Sequence, residues 1–199
     1  WGDSKRSTPF TRNNEWRTEV NRIMGSYFNQ RSSTVLGQLR SKGWYPTVVA
    51  PTFSQHGGPF DRGTTITMTA PAGAIYYTTD GSDPRLSGGE AGATARVYAG
   101  PVALLENTRL QARVRSDAGV WSALNSADFE LNQNWTDVLI TELMYNPPDT
   151  AGFDSDDLEF IELKNVGAEE RDLGGTSFTN GISFTFPWGT RLAPGEFLV

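Results

Sequence analysis

The stretch Thr-Ile-Thr-Met-Thr-Ala at residues 65–70 alternates polar with apolar side chains, which places the apolar ones on one face of a β-strand. Residues 110–115 and 127–131 repeat the same two-residue period, and residues 74–79 are rich in β-forming side chains. Turns that contain Gly, Asp or Pro separate these runs. Short strands at this spacing predict an immunoglobulin- or fibronectin-like β-sandwich over residues 46–136.

Residues 137–199 are also predicted to be β-structure. Strands are indicated at 138–145 and 158–165, and a hairpin is indicated at 177–186. The hairpin centres on Asn180-Gly181, a pair that favours a tight turn with positive φ at both residues. Because this segment is short, we expect an incomplete second immunoglobulin-like sandwich. The predicted fold class is therefore mainly β, preceded by a short α-helical N-terminal segment.

Residues 1–45 have the periodicity of amphipathic helices and are predicted to be the helical tail of an upstream domain. The apolar face of the first helix consists of Trp16, Val20, Ile23, Met24, Tyr27 and Phe28. The asparagine pair at 13–14 could supply its N-cap, and the serine pair at 32–33 could cap a second helix. Gly43 fits the residue that ends that second helix.

Composition excludes several classes of protein. The chain has no Cys and one His, which excludes disulfide scaffolds, thiol nucleophiles and metal sites made of several histidines. The net charges of the three predicted domains, 1–45, 46–136 and 137–199, are +5, −2 and −9. Such an acidic end argues against a nucleic-acid partner, since phosphate contacts need clustered Lys and Arg. No apolar run approaches the roughly 18 residues of a membrane span.

The run Ile-Tyr-Tyr-Thr-Thr-Asp-Gly-Ser-Asp-Pro at residues 75–84 resembles the signature of the chitobiase/β-hexosaminidase C-terminal domain family. The resemblance extends over about residues 50–131, with further matches at 98–102 and 110–114. Such domains are β-sandwich appendages of bacterial surface and secreted proteins, so the resemblance implies no hydrolase activity.

The third segment resembles the lamin-tail domain family at residues 140–147 and 159–165. Later turns of that family are matched at 172–175, 186–190 and 192–196. The resemblance implies an immunoglobulin-like sandwich that is used for binding.

The beginning of the chain, Trp1-Gly2-Asp3 with Asn14-Glu15-Trp16 and the two helices, is similar to the C-terminal tail of a CotH-type kinase domain. If that resemblance holds, the nucleotide-binding and catalytic residues lie upstream of this chain. The three resemblances together imply an extracellular or cell-surface bacterial protein made of several domains, of which this sequence is an internal piece.

Few residues are candidates for chemistry, and we predict no catalytic residue. His56 could be the base of a Ser/His/Asp triad, but no nucleophile motif accompanies it, so we interpret it as a loop histidine. The carboxylates of residues 154–159 could hold Ca²⁺, although their spacing does not match an EF-hand loop. These calcium candidates are Asp154, Asp156, Asp157 and Glu159. Asp80 and Asp83 are weaker candidates, and capping of their own turns is the favoured interpretation.

Exposed aromatic rings could form a flat surface on which sugars stack, although packing is the commoner role of such rings. The carbohydrate-binding candidates are Trp44, Tyr45, Tyr76, Trp121, Trp135 and Trp188. The sequence therefore predicts a non-catalytic structural or adhesion module that positions an upstream domain and binds glycan or protein. The alternatives are a carbohydrate-binding accessory module and the C-terminal part of a CotH-like kinase. Expected partners are the neighbouring domains of the same chain, and we predict no cofactor apart from the Ca²⁺ ion considered above.

Overall fold

The computed structural model describes residues 7–149 and 152–199. The chain divides into two compact units, residues 1–47 and 48–199, and each is described by itself. The first unit is helical, and the second contains two β modules in succession. The mainly β fold with one N-terminal helix confirms the predicted fold class.

The first unit contains one continuous helical run over residues 12–41. It consists of a π-helical turn, helix α1, a second π-helical turn and helix α2, with bounds Arg12–Trp16, Arg17–Arg22, Ile23–Tyr27 and Phe28–Ser41. The predicted division into two helices is therefore wrong. The serine pair at 32–33 lies inside α2, where Ser33 Oγ donates back to the carbonyl of Gln30 at 2.9 Å. None of the helices in the described part of the chain has the length and apolar composition of a membrane-spanning segment.

The ends of this helical run are defined by hydrogen bonds. Thr11, and not the asparagine pair at 13–14, is the N-cap, because its Oγ1 accepts the backbone N–H of Asn14 at 3.3 Å. The prediction for the C-terminal end is confirmed. Gly43 has φ +70°, and the N–H of Trp44 donates to the carbonyl of Leu39 at 2.9 Å, as in a Schellman motif.

The first β module contains nine strands. They are β1 (Thr52–Phe53), β2 (Gly58–Phe60), β3 (Thr65–Ile66), β4 (Met68–Thr69), β5 (Ala74–Thr78), β6 (Arg96–Val97), β7 (Val102–Ala103), β8 (Thr108–Arg115) and β9 (Asn125–Leu131). A five-stranded sheet has the order β2-β9-β8-β5-β6, in which only the β2–β9 pair is parallel. The pairs β1–β4 and β3–β7 are separate and antiparallel.

Alternation of side chains builds the core of this module. The even-numbered residues of β8, Leu110, Ala112 and Val114, are fully buried, and the intervening residues are not. Ile66 and Phe129 are likewise almost fully buried in the same core. The predicted inward faces of residues 65–70, 110–115 and 127–131 are therefore confirmed.

The second β module follows a short 3-10 turn at Trp135–Asp137. Its strands are β10 (Val138–Met144), β11 (Phe160–Asn165), β12 (Arg171–Asp172), β13 (Ser177–Phe178), β14 (Phe184–Thr185), β15 (Arg191–Leu192) and β16 (Phe197–Leu198). A three-stranded antiparallel sheet has the order β10-β11-β16, and β12–β15 and β13–β14 form two further pairs. Its buried core is small and consists of Leu163, Leu173 and Leu192.

The hairpin β13–β14 exists, but its turn differs from the prediction. Ser177 pairs with Thr185 and Phe178 pairs with Phe184, so residues 179–183 form a loop of five residues. Gly181 has φ +83°, but Asn180 is not among the described residues with positive φ. The predicted two-residue turn at Asn180-Gly181 is therefore wrong, because it requires positive φ at both positions.

Candidate functional site at the junction of the two β modules

The side chain of Asn107 connects the two β modules. It lies immediately before β8 and is 7% exposed. Its Nδ2 donates to the carbonyl oxygens of Asp172 at 3.1 Å and Gly174 at 2.9 Å, and its Oδ1 accepts from the backbone N–H of Leu131 at 2.7 Å. One buried amide thus bonds to β9 of the first module and to β12 and the turn after it in the second module. Buried polar groups that are fully bonded fix one geometry.

Asp172 and Gln133 complete this contact. The Oδ2 atom of Asp172 accepts from the backbone N–H of Asn107 at 2.9 Å. Gln133 accepts from the N–H of Asp172 at 2.8 Å and donates to its carbonyl at 2.9 Å. The Gln133 side chain therefore satisfies both backbone groups of Asp172, as a neighbouring strand would. We call Asn107, Gln133 and Asp172 the junction triad.

The segment between the modules is held by Arg171, whose side chain is 7% exposed. Its Nη2 donates to Oδ2 of Asp137 at 2.5 Å, and its Nε donates to the carbonyl of Asn134 at 3.1 Å. Hydrogen bonds between charged groups are stronger than those between neutral groups. The guanidinium therefore fixes residues 134–137 against β12.

Two further arginines contact the opposite module at the surface. Arg191 in β15 donates to Glu170 at 2.8 Å and also bonds to Glu106 of the first module. The hydrogen bond to Glu170 is the main cause that raises the pKa of Arg191. Arg109 in β8 lies 5.2 Å from the ring centroid of Trp188 in the second module. These exposed contacts help to fix the orientation of one β module relative to the other, but they contribute little to the free energy of unfolding.

A cleft of about 730 Å³ opens beside the junction triad. Apolar side chains of both modules, such as Leu131 and Leu173, form part of its wall. The exposed side chains of Glu130 and Ser177 and the ring of Trp135, which is 44% exposed, also line it. A concave site that combines apolar surface with a few polar groups and an aromatic ring has the chemistry of a small-ligand site.

Two of the predicted calcium candidates accept hydrogen bonds from backbone N–H groups. Oδ1 of Asp154 accepts from the N–H of Asp156 at 3.2 Å, and Oε1 of Glu159 accepts from the N–H of Asn146 at 3.0 Å. Within residues 7–149 and 152–199, no group of three metal-ligating side chains is gathered in a suitable arrangement. The calcium site at these residues, including Asp157, stays a prediction.

The capping interpretation of Asp80 and Asp83 is confirmed. Oδ1 of Asp80 accepts from the N–H of Ser82 at 2.9 Å, and Oδ1 of Asp83 accepts from the N–H of Arg85 at 2.9 Å. Hydrogen bonds from Ser82, chiefly from its hydroxyl, lower the pKa of Asp80. The guanidinium of Arg113, which donates to both Asp83 oxygens at 2.7 Å, lowers the pKa of Asp83.

The aromatic candidates do not share one environment. Trp121 is 7% exposed, donates its Nε1–H to the carbonyl of Gly89 at 2.7 Å and packs edge-on against Tyr76, so it offers no stacking surface. Trp188 is half-buried and packs against Gly175. Trp44, which is 78% exposed, and Trp135 at the cleft are the exposed tryptophans of this set. Tyr45 lies 5.4 Å from the guanidinium of Arg40.

His56 has the environment of a loop residue. Its Nε2 lies 2.8 Å from Oδ1 of Asn125, and its ring stacks on Phe53 with centroids 5.9 Å apart. Neither contact is with a nucleophile or a carboxylate. The hydroxyl of Ser54 accepts a hydrogen bond from the N–H of Thr67 at 3.0 Å.

The junction triad was not anticipated from the sequence. Asn107 and Asp172 lie 65 residues apart, and each resembles an ordinary turn residue in its local sequence. No periodic pattern marks such a pair. Asn107 and Asp172 can be identified as partners only once it is known that the two β modules are in contact.

Each β module is similar to one known family of domains. The Fn3-associated family model matches residues 64–129, and the Lamin Tail Domain model matches residues 132–199. No curated protein matches the chain, and no solved structure matches it. The lamin-tail resemblance is therefore confirmed, whereas the chitobiase and CotH resemblances stay predictions. The first β module is thus similar to the Fn3-associated family and the second to the Lamin Tail Domain family.

Proposed function

We propose that this chain is a non-catalytic structural and adhesion module of an extracellular bacterial protein with several domains. In this role the two β modules form a rigid connector that positions an upstream domain. The neighbouring domains of the same chain are its partners, as the resemblances to the CotH and chitobiase families imply.

The single observation that carries this proposal is the junction triad. Domains within one chain move relative to each other by default unless their interface is extensive. Here three side chains make six hydrogen bonds of 2.7–3.1 Å across or along the junction, and Asn107 and Asp172 are buried. A spacer transmits orientation only if such a joint is stiff. The joint therefore supports a positioning role better than a catalytic one.

Distance measurements between paired spin labels test the rigidity. Because the chain has no Cys, the substitutions Asp117→Cys and Thr179→Cys place one label on an exposed loop of each module. We expect one narrow distance distribution, which broadens when Asn107→Ala and Gln133→Ala are combined. Asn132→Ala is the matched control, since this exposed amide bonds to Asp61 within the first module. A broad distribution before any junction substitution would refute the proposal.

A second candidate function, glycan binding, is favoured by the cleft beside Trp135. Sugars bind where an aromatic ring offers a stacking face near polar groups, and the cleft is lined by an exposed ring, Trp135, and by the polar side chains of Glu130 and Ser177. Pull-down with insoluble polysaccharides tests this candidate. Retention that falls by about 10-fold in Trp135→Ala, which corresponds to about 1.4 kcal/mol, would support it. Equal retention of this variant and the unmodified chain would exclude the cleft.

From the CotH resemblance we propose that any kinase activity resides in a part of the protein upstream of these residues. ATP turnover by a longer protein, but not by these 199 residues, is the expected result. Turnover by the chain alone would contradict the assignment of the catalytic residues to the upstream part.

A further inference from the structure

Three arginines of β8 lie on the outer face of the five-stranded sheet in the first β module. Arg109, Arg113 and Arg115 occupy odd-numbered positions of β8, opposite the buried even-numbered ones. The guanidinium of Arg109 bonds to both carboxylate oxygens of Asp128, at 2.7 and 2.8 Å. That of Arg113 bonds to both oxygens of Asp83 at 2.7 Å. The guanidinium of Arg115, in contrast, donates to no acceptor among the residues that the structure describes.

Trp121 holds the guanidinium of Arg115 in place. The ring centroid of Trp121 lies 5.4 Å from Cζ of Arg115, and the ring is itself fixed by its hydrogen bond to the carbonyl of Gly89. Nη2 of Arg115 lies beside the following turn, 3.8 Å from where a Cβ of Gly119 would be. Nε of Arg115 is buried without an acceptor, whereas the two Nη atoms are not buried. Stacking thus fixes a cation that has one desolvated N–H and an accessible pair of Nη donors.

The unpaired state of Arg115 is a cost to the fold. A buried donor without an acceptor destabilises a protein, and such a group in a native structure requires an explanation. This sheet supplies carboxylates to Arg109 and Arg113, so the exception at Arg115 points to an acceptor that comes from a ligand. The accessible Nη pair is a planar fork that fits the two oxygens of a carboxylate. Its partly desolvated position strengthens the attraction, since charges interact more strongly away from bulk water.

An aromatic ring lies on the same face, on the neighbouring strand. In the antiparallel register Tyr76 of β5 pairs with Arg113 and Ala74 pairs with Arg115, so these side chains share the outer face. Tyr76 is half-buried and packs edge-on against Trp121, with ring centroids 5.1 Å apart. Ala74 is exposed and small, so no large side chain of β5 lies directly opposite the guanidinium. Positions 74 and 76 are about 7 Å apart along the strand, which is the scale of one sugar ring with its carboxylate.

We propose that Arg115 and Tyr76 bind a uronic acid residue of an acidic polysaccharide. The sugar carboxylate accepts hydrogen bonds from Nη1 and Nη2 of Arg115, and the sugar ring packs on Tyr76. An acidic peptide offers the same carboxylate, but it has no sugar ring to pack on the tyrosine. The site lies at the end of β8 far from Asn107, about 25 Å along the strand, so it is separate from the junction triad. It goes beyond the connector role and does not depend on it.

Trigalacturonic acid is the probe, titrated into the full chain at neutral pH and followed by NMR shifts, with the indole N–H of Trp121 as reporter. We expect saturable binding that weakens with salt and is at least about 10-fold tighter than binding of the uncharged galactotriose. Arg115→Gln should weaken binding by at least about 10-fold, and Tyr76→Leu by at least about 3-fold. Arg62→Gln is the matched control, because it removes an exposed arginine of the same module, and should change binding by less than about 3-fold.

Several results would overturn the inference. They are no saturable binding of trigalacturonic acid, equal affinity for galactotriose, or equal losses in Arg115→Gln and Arg62→Gln. Binding of triglutamate as tight as that of trigalacturonic acid would assign the site to acidic peptides instead.

Thermal unfolding of Arg115→Met separates a binding role from a structural one. The substitution removes the buried unpaired N–H but keeps an apolar contact with Trp121, so the melting temperature should stay the same or rise. A decrease of more than about 3 °C would show that the guanidinium serves the fold and would contradict the inference. The spin-label distances between the β modules do not depend on Arg115, so failure here is distinguishable from failure of the rigid-connector proposal.

Discussion

Replacing Asn107 by Ala removes the centre of the junction between the β modules. The change deletes three side-chain hydrogen bonds, to the carbonyls of Asp172 and Gly174 and from the N–H of Leu131. At about 1 kcal/mol of net stability for each bond, the expected loss is about 3 kcal/mol. The buried N–H of Leu131 and carbonyl of Gly174 lose these partners, which adds to the loss.

Differential scanning calorimetry and urea unfolding of the full chain measure this loss. For a unit of this size, about 3 kcal/mol corresponds to a decrease in melting temperature of roughly 6–12 °C. Asn132→Ala is the matched control, because the same chemical change there removes one exposed bond to Asp61 and should cost at most about 1 kcal/mol. If Asn107→Ala and Asn132→Ala destabilise the chain equally, the junction triad does not hold the modules together and our reasoning is refuted.

Three further predictions concern other parts of the chain. Folding lowers the pKa of Asp83, so its carboxylate stabilises the fold above the unfolded pKa of about 4, and this stabilisation is lost as the pH falls. Asp83→Asn should therefore reduce the loss of folding free energy below about pH 4, which acid unfolding curves measure. Gly175→Ala should cost at least about 1 kcal/mol more than Gly181→Ala in urea unfolding: both glycines have positive φ, but only at Gly175 would a Cβ lie 2.7 Å from Trp188. Asn180, exposed before a glycine in an open loop, should deamidate on ageing, and Gly181→Ala should slow the mass increase of one dalton seen in that peptide.

The strands of the first module were predictable because burial follows a local rule. The β8 strand alternates buried and half-buried residues along its whole length, and a period of two in the sequence reproduces that pattern directly. The same reasoning identified β9 and residues 65–70. Burial decides side-chain type at these positions, so the sequence alone suffices.

The helix and the hairpin turn show where local rules fail. Asn29 and Ser33 favour caps in isolation, yet each bonds back to a carbonyl three or four residues earlier and the helix continues. Asn180-Gly181 favours a tight turn, but the pairing of Phe178 with Phe184 leaves five residues for the loop. Strand register is set by side-chain packing across the module, and the ring centroids of Phe184 and Phe186 lie 5.0 Å apart. Strand pairing overrode the local preference in the hairpin, whereas in the helix the side chains bond within the helix itself.

The junction triad could not be predicted, because its three side chains become buried and bonded to each other only when the two β modules are in contact. Polar residues near strand ends are common, and most of them contact water. Burial of Asn107 and Asp172 follows from docking of one β module on the other, which involves residues far apart in the chain. The best indication of the module boundary, the change of charge between 46–136 and 137–199, does not identify the contacts that join them.

The junction triad gives the proposed positioning role a physical basis. A buried amide network stabilises one relative orientation of the two β modules, because any other would leave its polar groups buried and unpaired. Arg171 adds a second constraint, since its bonds to Asn134 and Asp137 fix the segment between the modules against β12. The two β modules can therefore keep one orientation relative to each other, which is the property that a positioning role requires.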